Sequence, residues 1–189
     1  YYPPHLYLLP NNEVQYRRSS PRTVMFVCLR PADTGGRVFL HSARAVEARL
    51  AVTAPELLAR MLRHGLCIET GFLDAAHPEK PQNYFQSWQE RFGTDDPDEA
   101  LRTARSQTDE YDACWFLDDR TLLTRITLPA RWGDGSLRFL RLAADGPAAR
   151  NGYRRFPLGD GGELSAREVE AVRAAFLATR EGVALAVGD

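Results

Sequence analysis

Residues 9–42, LPNNEVQYRRSSPRTVMFVCLRPADTGGRVFLHS, join a polar acidic tripeptide, an apolar run, a turn and a second apolar run. Thr23 to Leu29 (TVMFVCL) is almost continuously apolar and β-branched and is bounded by Pro21 and Pro31, the composition of a strand covered on both faces. The stretch Pro31 to Gly36 then reverses the chain, its paired glycines free to take φ > 0, and Val38 to Leu40 begins a partner strand. These residues predict a β-hairpin.

The order of Asn11-Asn12-Glu13, Met25-Phe26-Val27-Cys28, Pro31 to Gly36, Arg37-Val38 and Ser42-Ala43-Arg44-Ala45-Val46 resembles the taurine dioxygenase and clavaminate-synthase-like family of Fe(II)/2-oxoglutarate oxygenases. That family carries H-x-E/D, a strand ending F-x-C, then P-x-x-x-G-G-E-T, and a strand leading to a helix that opens D-S-R-x-V. The resemblance implies metal positions at Asn11 and Glu13. Two positions depart from the pattern. The family's first histidine ligand is Asn11, and the threonine that helps hold 2-oxoglutarate is Val38.

Further along, Ser87 to Asp96 (SWQERFGTDD) is similar to the family's W-Q/K-x-x-F-x-T-x-D signature, and Phe156-Pro157-Leu158-Gly159-Asp160-Gly161 to its Y/F-G-D-G turn ahead of a long helix. Leu137 to Leu142 lies where the family shows V-W-F-N, with Leu140 in place of the asparagine. Val183 to Asp189 (VALAVGD) is similar to the lead-in that precedes the family's last histidine ligand and its 2-oxoglutarate arginine. The chain is therefore expected to be a fragment, incomplete at both ends. Its unpaired sheet edges are expected to need a homo-oligomer or a partner subunit to cover them.

Composition sets the outer limits. At 189 residues, 44% hydrophobic and 26% charged, the chain fits one globular domain over 1–189 with a sizeable core. With 24 basic against 25 acidic residues there is no net field to draw nucleic acid or a membrane surface. No apolar run approaches the ~20 residues that span a bilayer, and the first residues have no signal-peptide pattern, so a cytoplasmic protein is expected. Cys28, Cys67 and Cys114 are far apart and form no zinc-ligand pair, which predicts reduced, buried thiols at strand positions.

Local signals place the other elements. Ala43 to Leu50 reads as a short helix, and Thr53-Ala54-Pro55-Glu56 as a capping box opening a second, with Leu57, Leu58, Met61 and Leu62 on its apolar side and Gly65 as its stop. Leu66 to Thr70 reads as a strand and Leu73 to Asn83 as a loop. Asp96 caps a helix with Pro97 at its first position and Ala100, Leu101 and Ala104 inward. Tyr111 to Leu117 and Thr121 to Leu128 form a hairpin around Asp118-Asp119, and Leu137 to Leu142 a further strand. Ser165 to Glu168 is another capping box, opening a helix whose Val169, Val172, Phe176 and Thr179 share a face down to Gly182.

A facial triad needs two histidines and a carboxylate around iron. The chain supplies the carboxylate, Glu13, beside an Asn11 amide that is a weaker donor than imidazole. Glu13 is also a candidate general base if buried, or a strand-end carboxylate paired with Arg17 or Arg18. Of the four histidines, His5, His64 and His77 lie at a terminus, a helix end and a loop, while His41, on the second strand of the hairpin, is the candidate to face Glu13. Arg17-Arg18 and Arg154-Arg155 are candidates to grip an anionic substrate or to be solvated. The Gly133-Asp134-Gly135 and Gly159-Asp160-Gly161 stretches read as turns, and Trp88, Trp115 and Trp132 as core anchors.

The sequence thus points to a β-rich α+β jelly-roll (double-stranded β-helix) with helical insertions. Two functional readings stand. One is a diverged family member without ordinary Fe(II)/2-oxoglutarate chemistry, which binds or converts a small molecule, as in natural-product biosynthesis. The other is an active 2-oxoglutarate-dependent oxygenase, with Fe(II) and 2-oxoglutarate as cofactors, whose site is completed by residues beyond these 189.

Overall fold

The computed structural model describes residues 17–19, 23–34, 37–80, 86–138 and 158–184. Asn11, Glu13, the Gly35-Gly36 pair, Leu140, Arg154-Arg155 and Phe156 lie outside them. The described elements are β1 (Arg37–His41), α1 (Ala43–Thr53), α2 (Pro55–His64), β2 (Leu66–Leu73), α3 (Trp88–Phe92), α4 (Pro97–Ser106), β3 (Ala113–Asp118), β4 (Thr121–Leu128), α5 (Ala166–Thr179) and β5 (Arg180–Ala184). This is a mixed α+β architecture with two antiparallel sheets, one ordered β2-β4-β3 and the other a β1-β5 ribbon. No helix among the described residues is long and apolar enough to cross a membrane.

Strand β2 is buried along its whole length. Its period-2 alternation sends Leu66, Ile68, Thr70 and Phe72 to one face, where the helices pack, and Cys67, Glu69 and Leu73 to the other. On the helix side Leu66 and Ile68 join Ile126 and Leu128 of β4 with Leu50 of α1, Met61 of α2 and Phe176 of α5. A second cluster seats Trp88 and Phe92 of α3 and Ala100 and Ala104 of α4 against Phe72, Cys114 and Leu122. Within it the Phe72–Phe92 and Trp88–Phe116 rings meet edge to face at 5.7 and 5.9 Å.

Caps explain where most helices begin. Ser87 and Ser165 each accept from the amide three residues on, while Glu90 and Glu168 reach back to the cap amide, so both ends are full capping boxes. Asp96 caps α4 ahead of Pro97. The expected box at Thr53 does not form. Thr53 is the last residue of α1 and its hydroxyl donates to the Arg49 carbonyl at 2.9 Å, leaving Ala54 as the N-cap of α2 with no side-chain bond. A threonine still inside a preceding helix lacks the extended backbone that a cap requires. Leu62, expected inward, is exposed, whereas Leu57, Leu58 and Met61 are buried.

The expected hairpin is replaced by another pairing. Thr23 to Leu29 is not a strand: it has no ladder partner among the described residues, and Met25, Phe26 and Leu29 are 82%, 70% and 84% exposed. β1 pairs instead with β5, in the register Arg37↔Ala184 to His41↔Arg180. Strand propensity is realised only against an available partner, and α5 delivers β5 directly to β1. Gly182, expected to end the last helix, lies within β5 opposite Phe39. Leu137 makes a bridge with Arg131 and no longer strand is assigned through Arg138. Leu73, expected to open a loop, is the last residue of β2.

The turn at residues 158–162 closes the helix layer. Leu158 bridges Leu66, and the Gly159 amide donates to the Gly65 carbonyl at 3.1 Å. Beside it His64 faces Asp160 at 3.5 Å, and Arg60 of α2 pairs with Glu168 of α5.

Candidate functional site

The face of β2-β4-β3 away from the helices carries the charged side chains that the fold brings together. Register sets Cys67 opposite Thr127 and Glu69 opposite Arg125, which is in turn opposite Ala113 of β3. Side chains directly opposite on one face of an antiparallel pair touch, so Glu69 and Arg125 meet by construction. Arg125 donates its Nε hydrogen to Glu69 Oε1 at 2.9 Å and also pairs with that oxygen through Nη2. Glu69 is buried, whereas nearly half of the arginine side chain is exposed. The hydrogen bond to Glu69 holds the guanidinium pKa above its usual value.

Trp115 supplies the third part. The Arg125 guanidinium lies 5.3 Å from its ring centroid, within cation–π range. The guanidinium is thus fixed by a carboxylate and an aromatic face while its outer side meets solvent, the arrangement in which arginine recognises planar anions such as carboxylates.

The end of this face is closed by further ion pairs. Arg18 pairs with Asp112, whose Oδ2 accepts from the Thr127 amide at 2.5 Å and whose own amide donates to the Arg125 carbonyl at 2.7 Å. Arg17 faces Glu110 at 3.5 Å, and Glu110 also accepts from Arg91 at 2.5 Å. Burial works against the Arg91 charge, but its contacts to Tyr111 and Glu110 outweigh it and raise its pKa. Burial pushes the Tyr111 hydroxyl upward despite that arginine. Arg17 and Arg18 each keep about half of the side chain exposed beside these carboxylates. They fasten residues 17–19 to the start of β3.

Arg138 is buried and stacks 3.4 Å above Trp132, with Nη1 donating to the Arg17 carbonyl at 2.8 Å. Desolvation lowers its pKa to about 10. Of the three tryptophans, Trp88 is the core anchor expected, while Trp115 and Trp132 each carry a guanidinium.

Burial disfavours the thiolate at Cys67 and Cys114. Burial raises Cys67 and lifts Cys114 to about 11, against a thiolate that would need a lowered value. Both are buried and free; Cys28 is free but only half-buried, outside any strand. The Gly133–Gly135 and Gly159–Gly161 stretches are turns, with Asp134 accepting from the Ser136 amide at 2.9 Å and Asp160 from the Gly162 amide at 2.9 Å.

His41 lies apart from this face, on the β1-β5 ribbon. Its ring meets Phe176 edge-on at 5.2 Å, its Nδ1 is buried without a hydrogen bond, and burial foremost holds its pKa below the usual 6.5. Val38, at the position where the resembled family holds 2-oxoglutarate, is partly exposed on β1 and offers no hydroxyl. Asn11 and Glu13 lie outside the described residues, so no distance relates His41 to them. Among the described residues no three His, Cys, Asp or Glu side chains converge as a metal site.

Sequence reasoning did not single out Glu69, Arg125 or Arg138, and it read Trp115 as a core anchor. One charge inside each of two otherwise apolar strands, C-I-E-T-G and L-T-R-I-T, was the available signal. No family model matches the chain, and no curated protein matches it.

Proposed function

We propose that this chain is a diverged relative of the clavaminate-synthase-like oxygenases, built on a jelly-roll of which β2-β4-β3 is part, that binds a small molecule bearing a carboxylate. On this reading it acts without ordinary Fe(II)/2-oxoglutarate chemistry. One observation carries the binding reading: the half-exposed Arg125, fixed by Glu69 behind it and Trp115 beside it. A guanidinium already held in place loses little entropy when it takes up an anion. The ancestry rests on the order of motifs in the sequence. The lack of iron chemistry rests on Asn11 and Val38 at two positions where that chemistry needs other side chains.

Two titrations test it. Calorimetry with small carboxylates, 2-oxoglutarate and benzoate among them, is expected to show binding that Arg125→Met weakens by about tenfold or more, the loss of one charge-assisted contact. Trp115→Leu should weaken it less. Binding unaffected by Arg125→Met would overturn the site. Anaerobic addition of Fe(II) with 2-oxoglutarate is expected to give no visible charge-transfer band. A band with near-stoichiometric iron would instead establish the active oxygenase.

A further inference from the structure

The ion pair with Glu69 occupies one side of the Arg125 guanidinium and leaves its end. Of the five N–H hydrogens that an arginine carries, Glu69 Oε1 accepts the one on Nε and one on Nη2. Those two nitrogens share a side of the planar group. The end formed by Nη1 and Nη2 therefore keeps two parallel N–H bonds that no other group takes up among the described residues, on a side chain that is 46% exposed. Register decides what lies beside it. Ala113 of β3 is directly opposite Arg125 and is exposed, and Trp115 stands two positions along the same strand, on the same face. The floor next to the arginine is thus a methyl group, flanked by the partly exposed Trp115 ring 5.3 Å from the guanidinium.

We infer that this site selects a planar aromatic monocarboxylate, an acid of the benzoate type, over dicarboxylates and phosphate monoesters. The inference rests on the carboxylate-binding reading of Arg125 and specifies the ligand class for that site. The two carboxylate oxygens take the Nη1–Nη2 end through parallel hydrogen bonds, and the attached ring lies over Ala113 against Trp115. A flat ring meets an indole in the offset or edge-to-face geometry that a puckered saturated ring cannot adopt. Charge excludes the competitors. Glu69 already balances Arg125, and Arg18 at the end of the face already faces Asp112, so neither cation is in surplus for a second negative charge. A dicarboxylate or a phosphate monoester brings that second charge toward the buried Glu69 carboxylate behind the fork, which repels it.

Calorimetry on the full chain with benzoate, cyclohexanecarboxylate, phenyl phosphate and 2-oxoglutarate tests this. Benzoate is expected to bind about fivefold more tightly than cyclohexanecarboxylate, the size of one aromatic contact, and more tightly than either dianion. Trp115→Leu should bring benzoate and cyclohexanecarboxylate to within about twofold of each other, while Arg125→Met weakens both. Nuclear Overhauser contacts between the benzoate ring protons and the Trp115 indole are expected in the parent, a readout that needs no substitution to fold. Equal binding of benzoate and cyclohexanecarboxylate, absence of those contacts, or tighter binding of 2-oxoglutarate or phenyl phosphate overturns the aromatic monocarboxylate. If Arg125→Met still weakens binding in that case, the carboxylate site itself stands. No binding, or binding indifferent to Arg125→Met, overturns both.

Discussion

Arg125 directs two of its donors, Nε and Nη2, at a single oxygen of Glu69, its register partner across the β2-β4 ladder. The acid is buried and the arginine half-exposed, so removing either has unequal consequences. Arg125→Ala takes the arginine from a buried carboxylate and is expected to cost about 1–3 kcal/mol in urea denaturation. The Glu69→Leu/Arg125→Leu pair, which buries no charge there, should cost less than Arg125→Ala alone. A double variant worse than the single would mean that the pair itself holds the sheet together.

Gly159 is expected to tolerate no side chain. A Cβ there would overlap the His64 carbonyl oxygen, a backbone atom fixed at the end of α2. Gly159→Ala must therefore push the 158–162 turn away from β2, at a cost of about 1–3 kcal/mol. Gly133→Ala is the control, because nothing lies within 4 Å of its Cβ position and its φ is not positive. A thermal melt in which the two variants coincide would show that the turn is not seated as described.

The elements legible in the sequence were those specified by neighbours in the chain. Asp96-Pro97 and Ser165-Ala166-Arg167-Glu168 start helices because the cap and the amides it satisfies lie within three residues. The β3-β4 hairpin is equally local, two apolar runs around Asp118-Asp119. The β1-β5 pairing was not legible, since nothing near Arg37–His41 names Arg180–Ala184 as its partner. Thr23 to Leu29 misled for the matching reason: composition states how well a segment suits a sheet, not whether an edge is available to it. The Glu69-Arg125-Trp115 site depends on cross-strand register, which motif spacing along the chain does not encode.

The caps separate two readings of serine and threonine. Ser165→Ala and Ser87→Ala each remove a side chain that satisfies a helix-end amide and are expected to cost about 1 kcal/mol. Thr53→Ala removes only a bond back to the Arg49 carbonyl within α1, and its cost should stay within about 0.5 kcal/mol. Chemical denaturation of the three variants checks the order. A Thr53→Ala loss equal to that of Ser165→Ala would return the cap to the position read from the sequence.

His41 should make the ribbon sensitive to acid. Burial is the main influence lowering its pKa, the Arg180 charge across the ladder adds to it, and the hydrogen bond with the Phe176 backbone opposes both. Protonation would also place charge on a ring whose Nδ1 is buried without a partner. With the folded pKa below the unfolded value of 6.5, the unfolded chain takes up the proton first as pH falls. The contribution of His41 is therefore complete above about pH 6.5 and is lost progressively as pH drops through the folded pKa. Amide exchange of β1 and β5 should accelerate over that window, beyond the intrinsic pH effect, in the parent and not in His41→Phe, which keeps an aromatic ring against Phe176. A nuclear magnetic resonance titration placing His41 above 6.5 would reverse the sign, and acid would then tighten the ribbon.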